Sequence, residues 1–173
     1  MKVKKSILSE IALRTVLTVS ALAFAYVGGQ MFKGPVFKLL AAFGFHPALE
    51  YQQNTYQFLP SAVFIIVWVS IYAMLANILA DILLQKDCKT RRKNVLLLLP
   101  LIILPLLNSA IKACLGYKAQ CFVIILMLLW TLICLERIRP ITRFAKIALT
   151  LIVVWLNLAL SIAIAALYLH KIN

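Results

Sequence analysis

Five long runs of apolar residues dominate the pattern of hydrophobic and polar positions along the chain. None of the runs alternates apolar and polar residues with a period of two, as the strands of a membrane barrel do. The runs are close to the roughly 17–25 residues with which an α-helix crosses the hydrocarbon, although the fourth is short. The pattern predicts an all-α, polytopic membrane helical bundle of about five transmembrane helices, at 13–31, 61–84, 95–113, 120–135 and 147–169.

The composition supports this interpretation. Of the 173 residues, 64% are hydrophobic and only 13% are charged, whereas a soluble domain is about half apolar and a quarter charged. A chain of this length cannot bury such an excess in one core. We therefore expect a single integral membrane domain over residues 1–173, surrounded by the lipid bilayer. The first run is expected to stay as an anchor, although "SALAFA" is similar to the small-residue site of a cleaved signal peptide.

The basic residues are unevenly distributed between the two ends of the predicted spans. Thirteen of the 18 Lys and Arg residues lie at the N-terminus or in the connections after the second and fourth spans. The positive-inside rule places these segments in the cytoplasm, with the N-terminus inside and the C-terminus outside a bacterial inner membrane. The same distribution accounts for the net charge of +13, because cations beside spans meet anionic headgroups. No nucleic-acid partner is expected.

The longest segment between spans, residues 32–60, is predicted to lie on the external side. Pro35 suits the first turn of a helix and Gly44 suits its end. The apolar residues between them favour a short helix lying in the membrane interface. The segment either caps the helices or offers a contact surface, whose candidate residues are Phe37, Lys38, Phe43, His46, Glu50, Tyr51 and Tyr56.

Three predicted spans carry a pair of polar residues at i, i+4, which places each pair on one helix face. Polar residues at such depth are costly in lipid and are often functional. Two interpretations are open: the pairs form hydrogen bonds between helices, or they line a polar seam through the bilayer. For Asp81 the sequence favours a salt bridge with Lys86, about one turn away. The pairs are Asn77 with Asp81, Asn108 with Lys112, and Asn157 with Ser161.

Two cysteines, Cys114 and Cys121, flank the predicted external turn between the third and fourth spans. In an oxidising periplasm they are expected to form a structural disulfide. Two alternatives stay open, namely unpaired thiols and a working redox pair. The spacing is wider than the Cys-X-X-Cys of typical redox enzymes.

The inventory of reactive residues argues against catalysis. Five acidic residues and two histidines do not provide the paired carboxylates, metal cluster or activated nucleophile that membrane enzymes need. We therefore expect no catalytic residue, no cofactor and no metal site. The predicted function is that of a non-enzymatic accessory protein that binds another membrane protein, with an immunity or exclusion protein as one form. The alternatives are a small transporter or channel component and a thiol–disulfide redox protein.

Overall fold

The computed structural model of the chain describes residues 2–33, 61–139 and 142–172. These residues form four α-helices, and the predicted all-α fold is confirmed. The predicted interfacial helix lies outside the described residues. The helices are α1 (Lys2–Lys33), α2 (Ser61–Leu83), α3 (Cys88–Arg137) and α4 (Arg143–Ile172).

Four stretches of these helices are long and apolar enough to cross a membrane, which indicates a membrane protein. They are Ile7–Phe24, Ile65–Leu83, Leu115–Arg137 and Arg143–Tyr168. The first begins six residues before the predicted start at position 13, so that it includes Glu10 as well as Arg14. The predicted third span, 95–113, lies within α3 and is not one of the four.

Helix α3 is divided at Gly116 into a first arm, residues 88–115, and a second arm, residues 117–137. Gly116 has φ 78° and ψ −173°, a backbone conformation that is essentially restricted to glycine. The two arms fold back on each other. A hydrogen bond joins them, in which the indole Nε1–H of Trp130 donates to the carbonyl oxygen of Leu97 at 2.8 Å. The thiol of Cys134 donates to the same carbonyl at 3.1 Å. The third and fourth predicted spans therefore pack as an antiparallel hairpin.

The core lies between α2, the two arms of α3 and α4. Its side chains on α2 follow a spacing of four and three residues, at Ile71, Leu75, Ile78 and Ile82. Such a seam suits neighbouring helices that cross at a small angle. On α4, buried Ala145, Ala148, Ala163 and Ala166 allow close approach of a neighbouring backbone.

Helix α1 lies at the edge of this bundle, where it packs mainly against α2. Most of its described apolar side chains are exposed, including Leu8, Ile11 and Val16. Lipid tails are as apolar as these side chains, so burial alone provides little driving force for association inside a bilayer. The polar contacts between helices therefore carry much of the specificity of their packing.

Candidate functional site

A polar cluster joins three helices at the end of the bundle where α2 ends and α4 begins. Asp81 on α2 is its centre. Its Oδ1 atom lies 2.6 Å from Nη2 of Arg14 on α1. Its Oδ2 atom accepts a hydrogen bond of 2.7 Å from the hydroxyl of Thr142. Thr142 directly precedes α4 and its hydroxyl oxygen accepts from the backbone N–H of Ala145 at 3.1 Å. One carboxylate thus connects α1, α2 and the first turn of α4.

Arg14 has two further partners in this cluster. Its Nη2 atom lies 2.9 Å from Oε1 of Glu10, one turn earlier on α1. Its Nη1 atom donates to Oδ1 of Asn77 at 3.5 Å. An isolated arginine inside a span costs about 2.5–3.5 kcal/mol on insertion scales. The two carboxylates and the amide lower this cost by neutralising and hydrogen-bonding the guanidinium.

The predicted salt bridge between Asp81 and Lys86 is wrong. Lys86 is exposed, and the structure instead pairs Asp81 with Arg14, 67 residues away in sequence. A guanidinium can bind several acceptors at once, which an ammonium does less well. The signal that could have found this partner is the Glu10–Arg14 pair, since two charges one turn apart in an apolar helix need a polar neighbour.

A second polar contact, missed by the sequence analysis, lies at the same end of the bundle. The side chain of Asn94 is fully buried. Its Nδ2 atom donates to Oε1 of Gln85 at 3.0 Å and to the backbone carbonyl of Arg139 at 2.9 Å. Asn94 therefore ties the α2–α3 connection to the α3–α4 connection.

The predicted pair of Asn108 and Lys112 lies near the opposite end of the first arm of α3. Asn108 is buried, and its Oδ1 atom has no hydrogen-bond partner among the described residues. The Nζ atom of Lys112 lies 4.8 Å from the centroid of the Tyr117 ring, across the turn at Gly116. This cation–π contact adds to the packing of the two arms.

The third predicted pair, Asn157 and Ser161, lies on the outer surface of the bundle. Both residues are exposed and bond to the backbone of their own helix. Nδ2 of Asn157 donates to the carbonyl of Val153 at 2.9 Å, and the hydroxyl of Ser161 donates to the carbonyl of Asn157 at 3.0 Å. The three predicted pairs therefore occupy different places, and they do not line one internal seam within the described part of the chain.

The cysteines lie in three different environments. Cys88 is exposed, Cys121 is half-buried and Cys134 is buried, and all three are free thiols. Cys114 and Cys121 lie on opposite sides of the turn at Gly116, but the side chain of Cys114 is outside the described set. The disulfide between them stays a prediction.

Two predictions remain, the external contact surface and the expectation of no metal site. The candidate contact residues Phe37 to Tyr56 lie outside the described residues. Across residues 2–33, 61–139 and 142–172, no group of three or more His, Cys, Asp or Glu side chains is arranged to hold a metal ion.

Comparison with known proteins adds no family to this description. No protein-family model matches the chain, and neither a curated protein nor a solved structure matches it significantly. The fold itself defines the class as an all-α protein, with four helical stretches among residues 2–33, 61–139 and 142–172 that are long and apolar enough to cross a membrane.

Proposed function

We propose that this protein is a non-enzymatic accessory protein of the bacterial inner membrane that binds another membrane protein through the outward face of α4. The observation that carries the proposal is an asparagine, Asn157, exposed near the middle of a helix that is long and apolar enough to span a membrane. We name the face the α4 stripe and define it by its exposed residues: Thr150, Val154, Asn157, Ser161, Ile164 and Tyr168.

The depth of Asn157 makes its exposure costly. It lies 14 residues after the start of α4, which corresponds to about 21 Å along the helix axis. A side-chain amide has two N–H donors and an acceptor oxygen, and the bond to Val153 uses one donor. Unpartnered polar groups in an apolar medium cost roughly 2–7 kcal/mol. A partner helix that bonds the remaining groups removes that cost.

The spacing of the α4 stripe also favours a helical partner. Its members recur every three or four residues, which is the repeat by which one helix packs along another. The opposite face of α4 is already occupied, because Leu149, Ile152 and Leu156 are buried in the core. A shallow groove lined by Ser161, Ile164, Ala165 and Tyr168 continues the α4 stripe beyond Asn157. The small side chains in this groove would let a second helix approach closely.

These features describe the partner by its chemistry. It is a transmembrane helix with a hydrogen-bonding side chain at the depth of Asn157 and an apolar surface above and below it. An immunity or exclusion protein, which binds its target within the bilayer, is one form of such a function. The interaction requires a contact surface and no reaction.

The other two predicted functions receive less support. A transporter that uses a polar seam needs its polar residues inside the bundle, and the outward position of Asn157 and Ser161 weighs against that arrangement. A thiol–disulfide function needs a reactive pair at Cys114 and Cys121. The structure describes only the Cys121 side chain of this pair, as a free thiol.

The test is site-specific photo-crosslinking in the native membrane. A photoreactive residue at Val154, next to Asn157 on the α4 stripe, should give a protein adduct, and Asn157→Leu should abolish it. The matched control is Leu129 on the second arm of α3, which is similarly exposed (51% against 61% for Val154). Adducts of equal yield from both positions, or no protein adduct from Val154, would refute the proposal.

The same experiment distinguishes another membrane protein on the α4 stripe from a second copy of this chain. Two copies with different tags are co-expressed, and the adduct from Val154 is probed for both tags. An adduct that carries both tags would replace the accessory function with self-association through α4. An adduct that carries one tag and the mass of another protein supports the proposal.

A further inference from the structure

A groove opens on the surface of α3, on the side of the bundle that carries the basic connections. Its volume is about 760 Å³, within the roughly 300–1,000 Å³ of small-molecule sites. One end of the groove is lined by Lys89, Arg92 and Lys93. The other end is lined by Leu96 and Leu97 of the first arm and by Trp130 of the second arm.

The two ends differ in chemistry along a single helix. The basic residues and Leu96 lie at i, i+3, i+4 and i+7, so they share one face of the first arm. Lys89 and Leu96 are separated by about 10 Å along the axis. A cationic rim at one end and an apolar wall about 10 Å deeper match a ligand with an anionic head and an apolar tail.

The cations of the rim are available to such a ligand. Lys89, Arg92 and Lys93 are exposed, and among the described residues they form no ion pair with an acidic side chain. They also lie in the first two turns of α3, where the helix dipole favours negative charge. The first turn contains no acidic residue, and one carboxylate, that of the N-cap residue Asp87, accepts from the backbone N–H groups of Lys89 and Thr90. A bound anion would neutralise this concentration of positive charge.

The apolar wall is held in place by hydrogen bonds that leave its surface open. The Nε1–H of Trp130 donates to the carbonyl of Leu97 at 2.8 Å, so the indole bridges the two arms and satisfies its polar atom. Leu96 is well exposed beside it. Tryptophan with one polar edge satisfied and an apolar ring surface is suited to contact acyl chains near the headgroup level.

We propose that this groove is a binding site for an anionic phospholipid of the leaflet that faces the basic connections. The phosphate binds Lys89, Arg92 and Lys93, and the upper part of an acyl chain lies along Leu96 and Trp130. The site is separate from the α4 stripe, so the lipid proposal and the proposed function can fail independently.

Cys88 provides a reporter, because it is exposed and lines the same groove. The full chain is purified in zwitterionic phosphatidylcholine micelles, and the rate of Cys88 alkylation by neutral N-ethylmaleimide is followed by peptide mass spectrometry. Added phosphatidylglycerol should slow this reaction in a saturable manner. Inorganic phosphate at the same concentration should not slow it, since phosphate lacks the chain that the apolar wall binds.

A pair of matched variants separates a site from general attraction to the membrane. Lys89→Gln with Arg92→Gln removes two cations of the groove, whereas Lys86→Gln with Arg91→Gln removes two nearby cations that do not line it. At about 1 kcal/mol per cation, the first variant should raise the half-protecting lipid concentration roughly 30-fold. The second should leave it close to the native value.

Three outcomes would overturn the proposal. The first is equal alkylation rates with phosphatidylglycerol and with phosphatidylcholine alone. The second is equal loss of protection in both double variants, which indicates diffuse attraction. The third is equal protection by inorganic phosphate, which indicates an anion site without lipid specificity.

Discussion

Removal of the Asp81 carboxylate tests the polar cluster that joins α1, α2 and α4. Asp81→Leu leaves Arg14 with Glu10 as its remaining carboxylate and leaves the hydroxyl of Thr142 without its acceptor. Removing one partner of an exposed ion pair costs about 0–1 kcal/mol, and of a fully buried pair about 3–5 kcal/mol. The side chains of Arg14 and Asp81 are 30% and 13% exposed, which places this pair between the two limits. With the hydrogen bond to Thr142, we expect a loss of about 2–3 kcal/mol.

The assay is reversible unfolding of the purified chain in mixed micelles, from which the free energy of unfolding is obtained. A double-mutant cycle with Arg14→Leu isolates the pair, and we expect a coupling energy of about 1–2 kcal/mol. Glu136→Gln is the matched control, because Glu136 is an exposed acid outside the ion pairs of the described residues. A loss for Asp81→Leu no larger than that of the control, or a coupling energy near zero, would refute the reasoning.

Three further predictions concern the connections between helices. Gly116→Ala should destabilise the hairpin of α3 by about 1–3 kcal/mol, because alanine does not tolerate the backbone conformation at this turn; an unchanged melting temperature would contradict this. Asn94→Leu should cost about 2–3 kcal/mol, since the Arg139 carbonyl and the Gln85 side chain both lose the donor that buried Asn94 supplies, and a neutral effect in the unfolding assay would show that the contact is not needed. Hydrogen bonds from the hydroxyl and the backbone N–H of Thr90, and from the N–H of Lys89, lower the pKa of Asp87 below its usual 3.8. Asp87 is the N-cap residue of α3, and its contribution to stability is present in full above the usual pKa and is lost as the pH falls through the lowered pKa of the folded state. Asp87→Asn should remove this part of the acid dependence of stability, measured between pH 2 and 6, and an identical acid profile would contradict it.

The helices were predictable from the sequence because long apolar runs that contain few charged residues have few alternatives in lipid, where every backbone polar group must be paired. The hairpin between the third and fourth runs was predictable for the same reason, since only a short segment around Gly116 separates them. Glu10 and Arg14 interrupt the apolar pattern near the start of the first span. Their pairing within α1 follows from the i, i+4 spacing, whereas the contact of Arg14 with Asp81 becomes visible only when α1 and α2 are both present.

The contacts between helices could not be predicted in the same way. Leu and Ile occupy nearly every side of α4, so the sequence does not indicate which face of that helix turns inward. Both interpretations of the polar pairs, hydrogen bonds between helices and a polar seam, would turn Asn157 inward, whereas the structure places it on the outer surface. The partner of Asp81 was missed because it lies on another helix, and a nearby lysine in sequence offered a simpler choice. Asn94 was missed because it follows a run of basic residues and resembles part of a solvated connection.

The proposed topology has five membrane crossings, with the basic connections in the cytoplasm. The second arm of α3 is long enough to cross, and the first arm runs antiparallel beside it, so we expect both to span. This topology places exposed Cys88 on the cytoplasmic side and exposed Lys118, beyond the turn at Gly116, on the opposite side.

The measurement is labelling of intact and permeabilised cells with a membrane-impermeant maleimide, read at individual cysteines by peptide mass spectrometry. The chain carries Lys118→Cys, and buried Cys134 serves as the control for access through the protein. We predict that the cysteine at position 118 is labelled in intact cells and that Cys88 is labelled only after permeabilisation. Labelling of Cys88 in intact cells, or protection of position 118 until permeabilisation, would contradict the topology and the membrane face assigned to the lipid groove.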